Sequence, residues 1–207
     1  MSKIAVIDFE TTGLSPAYGD RATEVAVVMV EKDRITGSYQ SLMNAGKRIP
    51  AFIQQLTGIS DAMIRKAPPS SEVMLELAEF VGDTPFVAHN ASFDSKFIDA
   101  EWDRIHHQRS QAFACSLMLS RRLYPTFHNH KLGTLVQYLH LPNNGKYHRA
   151  LADAEMTAHL VIQIKADLKA RYSINAVPHE MLCLLQKAPK SKMDDAVLKA
   201  QRKLGLV

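Results

Sequence analysis

Two apolar, β-branched runs close to the start, Ile4–Ile7 and Thr23–Val30, constrain this chain most. Each is too short for a buried helix and rich in valine and isoleucine, so each asks for a buried or half-buried place in a sheet. Gly13, Pro16, Gly19 and Asp20 break the pattern between them and mark a loop that begins just after Glu10. Ser38–Asn44 predicts a third strand, ended by the turn signals of residues 46–50, and the three strands together suggest a meander.

The middle of the chain changes period. After Pro68 and Pro69, with Ser70 or Ser71 as N-cap, Met74, Leu77, Ala78 and Val81 recur at helical spacing up to Gly82. Phe86–Ala88 is a short apolar strand, followed by a polar turn and a helix with Phe93, Phe97, Ile98, Trp102 and Ile105 on its apolar side. Leu132, Leu135, Val136 and Leu139 predict another helix, and residues 150–170 a long one through Ala154, Ala158, Val161 and Ile162. Strands first and then alternation with helices imply an α/β fold, a mixed sheet covered by helices.

Beyond Arg171 the composition turns to Pro178, Pro189 and lysines, which sets a boundary near residues 170–175. A length of 207 residues suits one compact domain with a short appendage, here 1–172 and a basic extension over 173–207. Met181–Leu185 and Ala196–Leu204 are expected as short helices of that extension. From Lys165 onward nine Lys or Arg stand against four acids, a surplus of +5 in a chain whose total is +4. Such a tail suits either a solvated helix or a grip on a polyanion.

No stretch is apolar for long enough to span a bilayer, and Lys3 leads straight into strand-like residues, so neither a membrane partner nor a cleaved signal is expected. Cys115 and Cys183 match no metal spacing and no disulfide framework, which suggests reduced thiols and a cytoplasmic setting.

Asp8 and Glu10, two apart at the end of an apolar strand, face the same side of the sheet. Two acids so placed repel, and a divalent cation is their natural partner unless both are simply solvated at a strand end. Thr11, Thr12 and Gly13 follow, small enough for backbone amides to approach a phosphate. Asp94 falls in the first turn of the helix after Phe86–Ala88, where it serves either as a cap or as a further metal ligand. His148 precedes Asp153 by five residues, with Asp153 near the start of the long helix.

Taken together, three segments resemble a known family. Asp8-Phe9-Glu10-Thr11-Thr12-Gly13-Leu14, His89-Asn90-Ala91-Ser92-Phe93-Asp94 and His148-Arg149-Ala150-Leu151-Ala152-Asp153 are similar, in order and spacing, to the three exonuclease motifs of the DnaQ-like family. The likeness runs from about residue 3 to about residue 170. His148 at its distance from Asp153 resembles the histidine-bearing, or DEDDh, group. The sister group carries tyrosine four positions before that aspartate, where this chain has Arg149, and Tyr147 is one residue too far back. Arg121-Arg122-Leu123-Tyr124-Pro125 and the His89–Asp94 segment are also similar to exonuclease X and to the epsilon proofreading subunit of bacterial DNA polymerase III.

The resemblance implies a ribonuclease H-like three-layer fold, a five-stranded mixed sheet flanked by helices, with an exonuclease domain over 1–172. It implies removal of 5′-mononucleotides from DNA 3′ ends with two divalent cations, Mg²⁺ or Mn²⁺, roughly 3.5 to 4 Å apart. Asp8, Glu10 and Asp153 would hold one ion, Asp8 would bridge to the second, and Asp94 would support that second ion. His148 would be the general base that takes the proton of the attacking water, for which its near-neutral pKa is suited. Of the other histidines, His89 is expected to shape a turn, and His106, His107, His128, His130, His140, His159 and His179 to be surface or packing residues. Thr11, Thr12 and Leu14 would bind the terminal nucleotide, with Leu56, Thr57, Gly58 and Ile59 as the opposite wall. Asn90 and Phe93 would face the substrate, unless Phe93 packs the core. The expected partner is a nucleic-acid 3′ end, single-stranded DNA before RNA, although nothing in the motifs reads a 2′-hydroxyl. Gln201-Arg202-Lys203-Leu204-Gly205-Leu206 loosely resembles a sliding-clamp peptide, which would make the chain a polymerase-associated subunit, or is a plain helix end.

Overall fold

Along β1 (Lys3–Thr11) successive residues face opposite sides of a sheet that is covered on both. Ile4 and Val6 enter one core and Ala5, Ile7 and Phe9 another, which is why the segment is apolar without a polar alternation. The computed structural model describes residues 3–143 and 149–206. β1 pairs antiparallel with β2 (Ala22–Glu31), which pairs antiparallel with β3 (Arg34–Leu42). On its other side β1 runs parallel to β4 (Phe86–Ala88), and β4 parallel to β5 (Phe113–Cys115), giving a five-stranded mixed sheet ordered β3-β2-β1-β4-β5.

The third strand starts at Arg34, four residues ahead of the expected Ser38. Lys32 and Asp33 both take left-handed backbone, φ 53° and 60°, and close a two-residue hairpin. Neither residue type advertises such a turn as Asn-Gly would, so its position could not be read. β5 is not among the expected strands.

Between β3 and β4 lie α1 (Ala51–Thr57) and α2 (Asp61–Ile64), around a small cluster of Ile49, Ile53, Ile59 and Ile64, and then α3 (Ser70–Val81). Ser70 is the first residue of α3 and not its cap. Pro69 holds the cap position, and the Ser70 hydroxyl accepts a hydrogen bond from Arg21 at 3.0 Å instead. α4 (Ala91–Asp103) follows β4 and packs with α3 on the Ile7 side, where buried Trp102 donates its indole N–H to the Met74 carbonyl.

On the Ile4 side, α5 (Ser116–Leu123), α6 (Leu132–Tyr138) and α7 (Ala150–Tyr172) cover the sheet. α8 (His179–Leu185) and α9 (Met193–Leu204) complete that layer, so the residues after 173 do more than append. Met181, Leu182, Leu185, Met193 and Val197 belong to the same buried cluster as Ile4 and Val161. Gln186 seals the free edge of β5: its carbonyl accepts from the Cys115 N–H at 2.6 Å and its amide donates to the Phe113 carbonyl at 3.1 Å, as a sixth strand would. Leu204 and Leu206 pack on the same core. Among the described residues no helix is long and apolar enough to cross a membrane, and both cysteines are free.

Candidate active site

Asp8 and Glu10 continue the Ile4–Val6 side of β1 and so face the layer that contains α7. Asp153 stands in the first turn of α7. Oxygen atoms of Asp8, Glu10 and Asp153 all lie within 4.8 Å of one another, close enough to share one cation. Asp94 comes from the opposite layer, in the first turn of α4, 2% exposed. The backbone N–H groups of its own residue and of Phe9, between the two acids of β1, favour its charged form. Its Oδ1 is buried with no hydrogen-bond partner, an expensive state for an anion and the state that a cation would relieve.

The electrostatics agree. Burial, then the charges of Asp94, Asp153, Glu10 and Glu24, push the Asp8 carboxyl well above the usual carboxylate range. Burial, then Asp153 and Glu24, raise Glu10 to about 8, with Arg149 opposing. Burial raises Asp94 to about 8 against the backbone hydrogen bonds. Carboxylates that resist ionisation beside one another are the donor set of a hard divalent ion, and the all-oxygen ligands fit it.

Glu24 is not among the candidate residues of the sequence, and Arg149 enters there only as part of the third motif, in the place of the sister group's tyrosine. Glu24 lies directly across from Glu10 in the antiparallel register, fully buried, on the side of the sheet that faces α7. It accepts hydrogen bonds from Gln40 at 2.8 Å, from Arg149 Nε at 3.1 Å and Nη2 at 2.7 Å, and from the Ala150 N–H at 3.1 Å. The available signal was an acid inside an apolar strand, since a charge there needs a partner.

The loop after β1 is tied by its own hydroxyls. Thr11 Oγ1 donates to the Gly13 carbonyl at 2.6 Å, Thr12 Oγ1 accepts from the Arg21 N–H at 3.0 Å, and the Ser15 N–H donates to Asp20 at 3.1 Å. A Cβ on Gly13 would stand 2.3 Å from an Asp20 carboxylate oxygen, so only glycine allows that approach. Arg21 in turn grips buried Glu101 with two bonds of 2.8 Å, which locks the loop to α4. Leu14 is left 83% exposed at the loop's tip, available to a ligand.

The other expected contacts divide. Thr57 and Ile59 are buried: the Thr57 hydroxyl organises the end of α1, and Ile59 sits in the isoleucine cluster, so neither side chain forms an open wall. Leu56 is 54% exposed beside them. Asn90 is exposed at the start of α4, in the left-handed region (φ 70°). Phe93 is half-buried and lies 4.9 Å from Phe97, on the core rather than free of it. His89 has both ring nitrogens engaged, with Ser116 at 2.9 Å and the His130 carbonyl at 3.0 Å, and burial drives its pKa down to about 4; these bonds tie the end of β4 to α5 and to the segment before α6 instead of shaping the local turn. His148 lies outside the described residues.

Helices on both faces of this mixed sheet, with acids gathered from the ends of β1, α4 and α7, define a fold that compares closely with known nucleases. An exonuclease family model, RNase_T, matches residues 5–161, and the chain belongs to that family. Over 171 residues it is 37% identical to the 3′-5′ exonuclease DinG of Bacillus subtilis (strain 168), which covers 81% of this chain and 18% of that protein. It is likewise 37% identical over 171 residues to a PolC-type DNA polymerase III of Listeria welshimeri, covering 82% of this chain and 12% of the relative. The chain therefore spans less than a fifth of the length of these relatives. Among solved structures, Exonuclease X in complex with 5′ overhanging duplex DNA superposes with a TM-score of 0.67 at 24% identity, over 94% of this chain and 99% of that one. The nuclease domain of 3′hExo, a DEDDh family member bound to rAMP, gives 0.70 at 18% identity over 80% of this chain and 92% of that one. The ribonuclease H-like fold is thus the one the motifs implied.

Proposed function

We propose that this chain is a 3′-to-5′ exonuclease that hydrolyses phosphodiester bonds at DNA 3′ ends and releases 5′-mononucleotides. The observation that carries the proposal is the convergence of Asp8, Glu10 and Asp153 within one ion's reach, with the orphaned Asp94 Oδ1 behind them. Asp8, Glu10, Asp94 and Asp153 would hold two divalent cations, Mg²⁺ or Mn²⁺, as oxygen-only ligands select. Such a pair, when bound, supplies an activated nucleophile and charge stabilisation for an in-line displacement. His148 accepts the proton of the attacking water. Thr11, Thr12, Asn90 and the exposed Leu14 seat the terminal nucleotide, and Phe93, Thr57 and Ile59 support that pocket from behind by packing. Residues 1–172 form the catalytic unit, and 173–207 brace it.

DNA is favoured over RNA because one sequence relative is named as a DNA polymerase and the Exonuclease X neighbour carries DNA. The neighbour bound to rAMP keeps trimming of RNA 3′ ends as the alternative. Docking of Gln201–Leu206 on a clamp would require Leu204 and Leu206 to leave their own core. The test is digestion of matched 3′-labelled single-stranded DNA, duplex DNA and RNA with Mg²⁺, Mn²⁺ or chelator. Activity with metal on DNA, lost in Asp8→Ala and His148→Ala, is expected; undiminished activity in either variant would refute the assignment.

A further inference from the structure

A buried glutamate opposite a metal-binding glutamate is hard to explain by stability alone. Glu10 and Glu24 are direct cross-strand partners on one side of the sheet, an arrangement that like charges destabilise. Glu24 is buried but the Arg149 side chain is 38% exposed, and a half-exposed pair gains little against the cost of desolvating the acid, so it is weak as a device for holding the fold. Its geometry is specific: a bidentate fork, plus a third bond that Glu24 accepts from the Ala150 N–H, the first N–H of α7, plus a fourth that it accepts from Gln40 of β3.

We infer that Glu24 and Arg149 are positioning residues for the metal ligands, a joint that pins the first turn of α7 to the sheet and so sets Asp153 against Asp8 and Glu10. This rests on the proposed metal-dependent nuclease site. Asp153 follows Ala150 by three residues within one helical turn, and its own N–H bonds to the Arg149 carbonyl at 3.1 Å, so a displacement of Arg149 is passed directly to the Asp153 backbone. The other side of the joint is as short, because Glu24 and Glu10 share one rung of the β1–β2 ladder. The carboxylate also presents its charge to the N-terminal end of a 23-residue helix, where a negative group is favoured. Arg149 brings a compensating positive charge that also acts on Glu10. One acid of the facing pair is thereby neutralised by protein, and the other is reserved for the cation.

The experiment measures Mn²⁺ affinity of the full chain by calorimetry, together with kcat and KM on a 3′-labelled oligonucleotide at saturating Mn²⁺. It uses Glu24→Gln, Arg149→Lys and the double variant. Glu24→Gln keeps the shape but turns an acceptor into a donor facing Arg149, and Arg149→Lys keeps the charge but loses the fork. Supporting tuning groups of this kind are expected to be worth about 10–100-fold in metal affinity or activity. The expected result is weaker Mn²⁺ binding and lower kcat with KM little changed, milder in Arg149→Lys, and a double variant no worse than Glu24→Gln. Unaltered Mn²⁺ affinity and kcat in folded variants, whatever their thermal stability, would overturn the inference. If Glu24→Gln does not fold, Arg149→Lys carries the same measurements. Because the Mn²⁺ isotherm is read without substrate, it remains decisive even if the chain fails to digest DNA.

Discussion

At the residue scale the site is a balance between carboxylates that cannot all ionise. Glu10 holds its proton up to about 8 in the fold, against an ordinary value of 4.5. Between those two values the folded chain binds a proton at this position that the unfolded chain has released, so stability falls as pH rises through the window. Asp8 and Asp94 are shifted the same way and add to the effect. In chelator, the melting temperature is therefore expected to drop as pH rises from about 4.5 to about 8. A neutral Glu10→Gln variant should melt a few degrees above the parent at the alkaline end, at about 2–4 °C per kcal/mol for a chain of this size. Mg²⁺ or Mn²⁺ should then restore the parent selectively, since ligand binding stabilises only the form that binds. Thermal melts across pH with and without metal measure both effects, and a flat profile in chelator would contradict the raised carboxyls.

At the scale of elements, the loop between β1 and β2 shows how local chemistry shapes the surface proposed to seat the terminal nucleotide. Thr12, Asp20 and Arg21 close the loop on itself, Gly13 permits the close approach of Asp20, and the Arg21–Glu101 pair ties the loop to α4. Gly13→Ala is expected to push the Asp20 carboxylate aside and displace Leu14. Misplacement of a substrate-positioning group by about 1 Å can cost about 10²-fold in rate. Steady-state kinetics on a 3′-labelled oligonucleotide should show that loss with a nearly unchanged urea midpoint, because the loop contributes little to either core. A parallel loss of stability would mean that the loop is part of the core after all. The motif Asp8–Leu14 was legible as a unit, yet the residues that brace it were not. Arg21 and Glu101 are 80 positions apart and meet only because α4 returns over the start of β2.

For the whole molecule, the decisive feature is that one buried cluster runs from β1 through α7 into α8 and α9. Leu182→Ala is expected to lower global stability by about 2–5 kcal/mol in urea unfolding, as for any buried leucine. An early separate transition, leaving the rest of the curve in place, would mean that the segment after 173 folds by itself. The basic composition of that segment suggests an appendage; the buried helical residues Met181, Leu182, Leu185 and Val197, together with the edge-sealing Gln186, make it part of the sheet's second cover.

The sequence by itself determined the strands β1 and β2, the long helices α3, α4 and α7 and the family resemblance, and it marked Asp8, Glu10, Asp94 and Asp153 as candidate ligands, because period and motif are local properties of a chain. It did not determine the tight Lys32–Asp33 turn, the three-residue β5, the burial of Thr57 and Ile59, or the Glu24–Arg149 joint. Those depend on which residues of distant segments come to share a face, and on the desolvation that burial imposes on them. The tertiary structure alone decided that Glu24 stands opposite Glu10, and so that one acid of the pair is answered by an arginine while the other joins Asp8 and Asp153 in the carboxylate cluster.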